Sequence, residues 1–190
     1  TTLAGEGLQH MDGHSPLLAA TNPAVIHYDP AYGYEIAHIV RDGLRRMFGE
    51  DAEDVIYYLT VYNEPLVQPK EPEGLDVEGL LKGMYLLKEG EVPAGAEAGS
   101  TPRAQLLASG VGVPWALEAQ DLLRNDWGVV ADVWSVTSWT ELRREAEACD
   151  EINFLAPSEE KAVPYVTRAL MDRPGPVVAT SDYMKELQDQ

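Results

Sequence analysis

The chain has 190 residues, of which 45% are hydrophobic and 24% are charged, as in an ordinary globular protein. Its 32 acidic residues against 14 basic ones give a formal net charge of −18, which disfavours a nucleic-acid partner. The single cysteine, Cys149, excludes an internal disulfide, and no apolar run approaches the ~20 residues of a membrane helix. We therefore expect a soluble protein of a reducing compartment, without nucleic acid or membrane.

The two ends of the chain lack the usual signals of a natural start and stop. The first residues carry neither an initiator methionine nor a signal segment. The last residues, 183–190, are typical of a helix that begins after a strand but has no stop signal. The sequence thus predicts that the chain is a fragment of a longer protein.

The first half of the chain alternates between strand and helix patterns. Residues 1–23 lack periodicity and predict a loop with at most one helical turn. Strand 24–28 is followed by Asp29 as the expected cap of a helix. The apolar run 55–61 predicts a central strand covered on both faces. A short helix capped by Asp76 and a strand at 84–88 close this unit. The stripe expected to be buried on the first helix is Ile36, Ile39, Val40, Leu44 and Met47.

The second half repeats the alternation after a stretch of linker composition at 89–103, which places a domain boundary near residue 95. The pattern predicts an α/β fold with mainly parallel sheets flanked by helices, each half being part of a larger sheet. Its predicted strands are 104–109, 129–137 and 176–181, and its predicted helices are 114–125, 140–149 and 164–172.

The densest polar cluster lies in the segment 5–15, GEGLQHMDGHS, and consists of Glu6, His10, Asp12 and His14. His10 and His14 have the spacing of a zinc helix, but Gly13 disfavours a helix there and the usual glutamate is missing. Two interpretations stay open. One is a surface loop in which Asp12 makes turn hydrogen bonds. The other is an active-site loop in which a histidine acts as acid, base or electrostatic clamp.

The segment 110–112, GVG, follows a strand and opens a helix, which invites a dinucleotide-binding interpretation. The third glycine of that motif is missing, since Trp115 occupies its place, and Asp132 begins the next strand instead of ending it. A tight turn before Pro114 explains the glycines better. Cys149 has helical spacing with apolar neighbours and is expected to be a core residue.

Four segments together resemble the family of homodimeric pyruvate dehydrogenases, the decarboxylating, thiamine diphosphate-dependent component of the pyruvate dehydrogenase complex. They are 5–15 (GEGLQHMDGHS), 28–32 (YDPAY), 134–142 (WSVTSWTEL) and 181–185 (SDYMK). The resemblance implies parts of two transketolase-like domains. Residues 1–94 would be the end of the pyrimidine-binding domain, 95–103 a linker, and 104–190 the start of the transketolase C-terminal domain.

The same resemblance implies which residues serve the active site. His10 would lie near the thiazolium of the cofactor and the bound pyruvate, and Glu6 would lie near the same site. The family's ligands for thiamine diphosphate and magnesium have no counterpart here, so we expect them outside this chain and expect the fragment alone to be inactive. The implied partners are pyruvate, the lipoyl domain of dihydrolipoamide acetyltransferase and a second copy of the chain, in the cytoplasm.

Two other functions compete with this one. The chain could be a non-catalytic module for dimerisation or for docking in the complex, which a solvent-exposed His10 with no cleft around it would favour. It could also belong to another transketolase-like enzyme that acts on a different 2-oxo acid or on a sugar.

Overall fold

The computed structural model describes residues 7–92, 95 and 100–189, and in them two sheets are flanked by helices, which confirms the α/β class. The elements are α1 (Ser15–Ala20), β1 (Val25–Tyr28), α2 (Gly33–Phe48), β2 (Ile56–Leu59), α3 (Val77–Lys82), β3 (Met84–Lys88), β4 (Arg103–Ala108), α4 (Gly112–Trp127), β5 (Val130–Val136), α5 (Trp139–Leu155), α6 (Tyr165–Leu170) and β6 (Val177–Thr180). Two 3-10 turns lie at Leu8–His10 and Lys185–Leu187. Helix α1 exceeds the single turn expected before residue 23.

Most strand pairs in the two sheets are parallel, as the sequence predicts. Strands β1 and β2 form a parallel pair. The second sheet has the order β3-β5-β4-β6, in which β4 runs parallel to both β5 and β6. Strand β3 is antiparallel to β5. Helices α4 and α5 cover this sheet with two apolar clusters, while a third cluster joins α2 and α3 to β1 and β3.

Strand β3 differs from its expected place. The sequence analysis assigns it to the first unit, but its residues are hydrogen-bonded to β5, with Met84 opposite Val136. The predicted linker 95–103 therefore lies between two strands of one sheet. As a domain division it stays a prediction.

Strand β2 was expected in the middle of a sheet. Among the described residues it pairs with β1 alone, and Ile56 is exposed. A continuous apolar run indicates that a strand has partners on its faces but does not say how many strands lie beside it. On one face Tyr57 and Leu59 pack, half-buried, against the third apolar cluster, and the ring of Tyr57 stacks on that of Tyr28 in the neighbouring strand.

Helix α2 begins later than predicted because Asp29 does not cap it. Its first residue is Gly33, and its N-cap is Tyr32. The carboxylate of Glu35 accepts hydrogen bonds from the backbone N–H groups of Ala31 and Tyr32, which would otherwise lack partners at the start of the helix.

The buried face of α2 is also turned relative to the predicted stripe. Ile39 is buried as expected, but Val40 and Leu44 are 42% and 54% exposed. Glu35 and Gly43 take the buried positions instead. The reason is that the Glu35 carboxylate has its partners inside the fold, so the helix presents that side to the sheets.

Two helix starts follow their sequence signals. Asp76 caps α3 by accepting a hydrogen bond from the N–H of Gly79, as predicted. Ser138 caps α5 through the N–H of Glu141. Cys149 is buried on α5, as expected. None of the helices in the described part of the chain is long and apolar enough to cross a membrane.

Candidate functional site

A cleft of about 390 Å³ opens between the front loop, the end of β2 and the segment after β6. We call it the His10 cleft. The cleft is open to solvent, and His10 is a solvent-exposed residue of its lining. The lining residues are His10, Asp12, Tyr58, Leu59, Thr60, Val61, Tyr62, Asn63, Asp182 and Tyr183.

Local hydrogen bonds shape the loop that carries His10. The N–H of His10 donates to the carbonyl of Gly7, which closes the 3-10 turn. Asp12 Oδ1 accepts from the N–H groups of His14 (3.1 Å) and Ser15 (2.9 Å). Burial acts to raise the pKa of Asp12, but these hydrogen bonds outweigh it and hold the pKa below its usual range. The loop is thus a turn, as its Asp-Gly pair suggests.

The structure brings Asp12 to the His10 cleft but places His14 on a different element from His10. His10 ends a 3-10 turn and His14 precedes α1, so the two histidines do not share one helix face. Glu6 lies outside the described residues. Both assignments to catalysis, His10 and Glu6, stay predictions. Within residues 7–92, 95 and 100–189, no three histidine, cysteine or acidic side chains come together as metal ligands do.

Behind the cleft lies a buried carboxylate, Asp29, that the sequence assigns wrongly to a helix cap. Its Oδ1 accepts hydrogen bonds from the hydroxyls of Thr60 (2.7 Å) and Tyr62 (2.8 Å). Its Oδ2 accepts from the hydroxyl of Ser109 (2.7 Å) at the end of β4. Burial raises the pKa of Asp29 above its ordinary value, although the three hydroxyls work in the opposite direction.

The backbone of Asp29 is tied to the second sheet as well. Its N–H donates to the carbonyl of Thr137, and its carbonyl accepts from the N–H of Gly110. Gly110 has φ +50°, and a Cβ there would lie 2.4 Å from Cε2 of Tyr62. The glycine of the GVG segment therefore makes room for the Tyr62 ring, which agrees with the tight-turn interpretation.

His27 is buried next to the same hydroxyl groups. Its Nε2 lies 3.3 Å from Thr60 Oγ1, and its ring centroid lies 5.0 Å from that of Tyr58. With the Thr60 hydrogen directed to Asp29, this contact assigns the proton of the neutral ring to Nε2 as the donor. Nδ1 is buried and has no hydrogen-bond partner. Burial lowers the pKa of His27 to about 4, and the charge of Asp12 only partly opposes this.

Glu35 is a second buried carboxylate at the contact between the two sheets. Its Oε1 accepts from the hydroxyls of Tyr85 and Ser135, both at 2.7 Å. Burial raises its pKa, against the effect of these hydrogen bonds. Unlike Asp29, it has no partner among the residues that line the His10 cleft.

The WSVTSWTEL segment supplies further hydroxyls to this contact. Thr137 donates to the carbonyl of Leu80, and Ser138 donates to the carbonyl of His27. Together with Ser135, these side chains fasten β5 and the start of α5 to the first part of the chain. The segment therefore has a clear structural role.

Sequence reasoning missed most of this polar network. It assigned no role to His27, Glu35 or Tyr62, and it left Ser109 unassigned. One signal was available: Asp29, Thr60 and Ser109 each come directly after a strand. Side chains at the carboxyl ends of parallel strands lie at the same edge of a sheet. The residues that directly follow the strands were therefore the positions at which a polar cluster could have been predicted.

The front of the chain matches one protein-family model and the rest another. Residues 1–69 match the pyruvate dehydrogenase E1 component middle domain. Residues 83–190 match the transketolase-like TK C-terminal domain, which is more than half of the chain. The second match begins one residue before β3, the strand that pairs with β5.

Curated relatives are similar over the whole chain. The pyruvate dehydrogenase E1 component of Mycolicibacterium smegmatis is 58% identical over 190 residues, and that of Mycobacterium tuberculosis is 55% identical. The protein of the same name from Escherichia coli K12 is 47% identical. In each case all of this chain is covered, but only 20% of the relative. The chain thus spans about a fifth of their length.

Solved structures agree on the fold. A transketolase mutant from Pichia stipitis in complex with fructose 6-phosphate superposes with a TM-score of 0.61 at 17% identity, covering 94% of this chain and 21% of that one. A second mutant from the same yeast gives 0.58 at 16% identity, covering 90% and 20%. With its two matching family models and its transketolase-like fold, the chain belongs to the pyruvate dehydrogenase E1 component family.

Proposed function

We propose that this chain is part of an enzyme that oxidatively decarboxylates pyruvate with thiamine diphosphate and transfers the acetyl group to a lipoyl group. The relatives carry the name of the pyruvate dehydrogenase E1 component over the full 190 residues, which supports the proposal. The observation that carries it is the position of His10, the histidine of the GEGLQH segment, at the edge of a cleft.

The role proposed for His10 follows from its chemistry and its surroundings. An imidazole can donate a hydrogen bond to the carboxylate of a 2-oxo acid, or exchange a proton with the reacting centre. The other ionisable acids in the lining are Asp12 and Asp182, which repel a carboxylate. Among the lining residues, His10 is therefore the one that we propose as the cationic partner of a carboxylate substrate. Glu6 is proposed to assist at the same site.

The main ligands of the cofactor are proposed to lie outside this chain, in the rest of the full-length protein. Thiamine diphosphate needs a divalent cation, and the described residues offer no cluster of ligands for one. Because the described residues hold no ligand set for that cation, we derive no step through the cofactor. The isolated chain is expected neither to bind thiamine diphosphate tightly nor to decarboxylate pyruvate, and calorimetric titration of the cofactor into this chain tests that expectation.

The decisive experiment compares two neighbouring histidines in the full-length protein. His10→Ala is expected to slow pyruvate turnover or acetyl transfer to a lipoyl domain by about a hundredfold or more. His14→Ala serves as the matched control, because its side chain is also exposed but does not line the cleft. A wild-type rate in His10→Ala would remove this histidine from the site.

The competing functions predict different results. An exposed His10 with no cleft around it would favour a non-catalytic docking module. His10 is exposed, but it also lines a cleft, so only one of these two conditions is met. Another transketolase-like enzyme would prefer a different substrate, so rates with pyruvate, 2-oxoglutarate and a ketose phosphate distinguish it. We also propose a second copy of the chain and a lipoyl domain as partners, and the cytoplasm as location. Sedimentation and binding measurements with the full-length protein test the two partners.

A further inference from the structure

The wall of the His10 cleft contains two hydroxyl groups that are held from behind. Thr60 and Tyr62 both line the cleft. Both hydroxyls donate to the same oxygen, Oδ1 of Asp29, at 2.7 and 2.8 Å. Asp29 itself is fully buried and does not line the cleft. Asp29 therefore does not contact a ligand in the cleft itself, and its hydrogen bonds reach the cleft through these two side chains.

Asp29 is in turn fixed by several independent contacts. Its Oδ2 accepts from Ser109, and its backbone is hydrogen-bonded to Thr137 and Gly110. These three partners follow the ends of β4 and β5, so the carboxylate is anchored to the larger sheet. The positions of the two hydroxyls are consequently set by that sheet and not by the front loop that carries His10.

Packing holds the Tyr62 ring in addition to its hydroxyl. The open space above Gly110 accommodates the ring, and any side chain at that position would overlap it. Thr60 is also restrained, because its Oγ1 lies 3.3 Å from Nε2 of the buried His27. Both hydroxyl hydrogens go to Asp29, so these groups do not donate to a 2-oxo acid. Side chains restrained in this way instead give the cleft a wall of fixed shape, against which a small substrate can be oriented.

We propose that Asp29 is a positioning residue of the His10 cleft: by accepting from both hydroxyls it holds the side chains of Thr60 and Tyr62 in place as the wall against which the substrate packs. This inference rests on the proposed function, since it assumes that the cleft receives the 2-oxo acid. It assigns no proton transfer to Asp29.

The test uses the full-length protein and two pairs of variants. Asp29→Ala removes the anchor, and Glu35→Ala is its control, because Glu35 is an equally buried carboxylate that accepts two hydroxyls away from the cleft. Thr60→Val removes one anchored hydroxyl with little change of shape, and Thr60→Ser retains it. The KM and kcat for pyruvate and the thermal midpoint are measured for each protein.

We expect Asp29→Ala and Thr60→Val to raise the KM for pyruvate about tenfold, while Glu35→Ala and Thr60→Ser stay within about twofold of wild type. Asp29→Asn is expected to have a KM for pyruvate much closer to wild type than that of Asp29→Ala, because its amide oxygen can still accept hydrogen bonds from Thr60 and Tyr62. If Asp29→Ala fails to fold, the Thr60 pair decides alone. Equal KM values for Thr60→Val and Thr60→Ser would overturn the proposal.

His10→Ala distinguishes this failure from that of the proposed function. If His10→Ala is impaired while Thr60→Val matches Thr60→Ser, only the positioning role of Asp29 is refuted. If His10→Ala turns over pyruvate like wild type, the cleft is not the site, and both proposals fail together.

Discussion

His27 gives the sharpest prediction about stability, because its burial has a calculable dependence on pH. Burial lowers the pKa of His27 to about 4, from 6.5 in an exposed chain. The unfolded protein therefore binds a proton that the folded protein does not bind between these values. The stabilising contribution of neutral His27 is complete above pH 6.5 and is lost as the pH falls toward 4.

The size of the effect follows from the same two values. At pH 5 the folded form is still mostly neutral, while the unfolded form is about 1.5 pH units below its own pKa. At about 1.4 kcal/mol per unit, the folded state loses about 2 kcal/mol between pH 8 and pH 5 through this residue. Asp29 and Glu35, whose pKa values are raised by burial, act in the opposite direction.

The assay compares wild type with His27→Gln, which can still donate an amide N–H to Thr60 but does not titrate. The carboxylates are common to both proteins, so the difference between their urea-unfolding free energies isolates His27. We expect the variant to gain about 2 kcal/mol relative to wild type on going from pH 8 to pH 5. An unchanged difference would refute the reasoning, as would an imidazole C2 exchange midpoint near 6.5 for His27.

Three further substitutions test the packing and charge of the junction. Gly110→Ala forces a Cβ against Tyr62 and is expected to lower the free energy of unfolding by about 2 kcal/mol or more. Its control is Gly128→Ala, which is also at positive φ but has open space around it. This variant should lower the same free energy by about 1 kcal/mol. Ser138→Ala removes the cap of α5 and should lower the free energy of unfolding by about 1–2 kcal/mol. Ser138→Thr keeps a capping hydroxyl, and its free energy of unfolding should be much closer to that of wild type. Because the raised pKa of Glu35 makes its contribution fall as pH rises through that pKa, Glu35→Gln should become less unfavourable relative to wild type at higher pH, as measured by unfolding at several pH values. A constant difference would contradict a raised pKa.

Local patterns in the sequence were sufficient for most of the elements. The alternation of strands and helices predicted the parallel sheets, and Asp76 marked the start of α3. Strand neighbours were harder, because β3 carries nothing in its five residues that says whether it pairs with β2 or with β5. That choice depends on long-range contacts, such as the register that places Met84 opposite Val136.

The candidate site was only partly accessible from the sequence. His10 came from a motif, which shows residue types but not whether a cleft surrounds them. Asp29 was misassigned because Asp before Pro is a common helix start, whereas here its partners lie far along the chain at Thr60 and Ser109. The buried face of α2 was misjudged for a related reason, since Glu35 is treated as polar and exposed until its hydroxyl partners are known.

The chemistry of these partners has a consequence for the junction between the two sheets. Among the residues that the structure describes, the carboxylate of Asp29 is held by three hydroxyl groups and pairs with no cationic side chain. A hydroxyl can donate to a carboxylate or accept from a carboxylic acid, so the junction can keep its hydrogen bonds whether or not Asp29 carries a proton. An arginine partner would lose its charge pairing on protonation of the acid. The hydroxyl arrangement therefore allows the wall of the His10 cleft to keep its geometry while charges change inside the cleft.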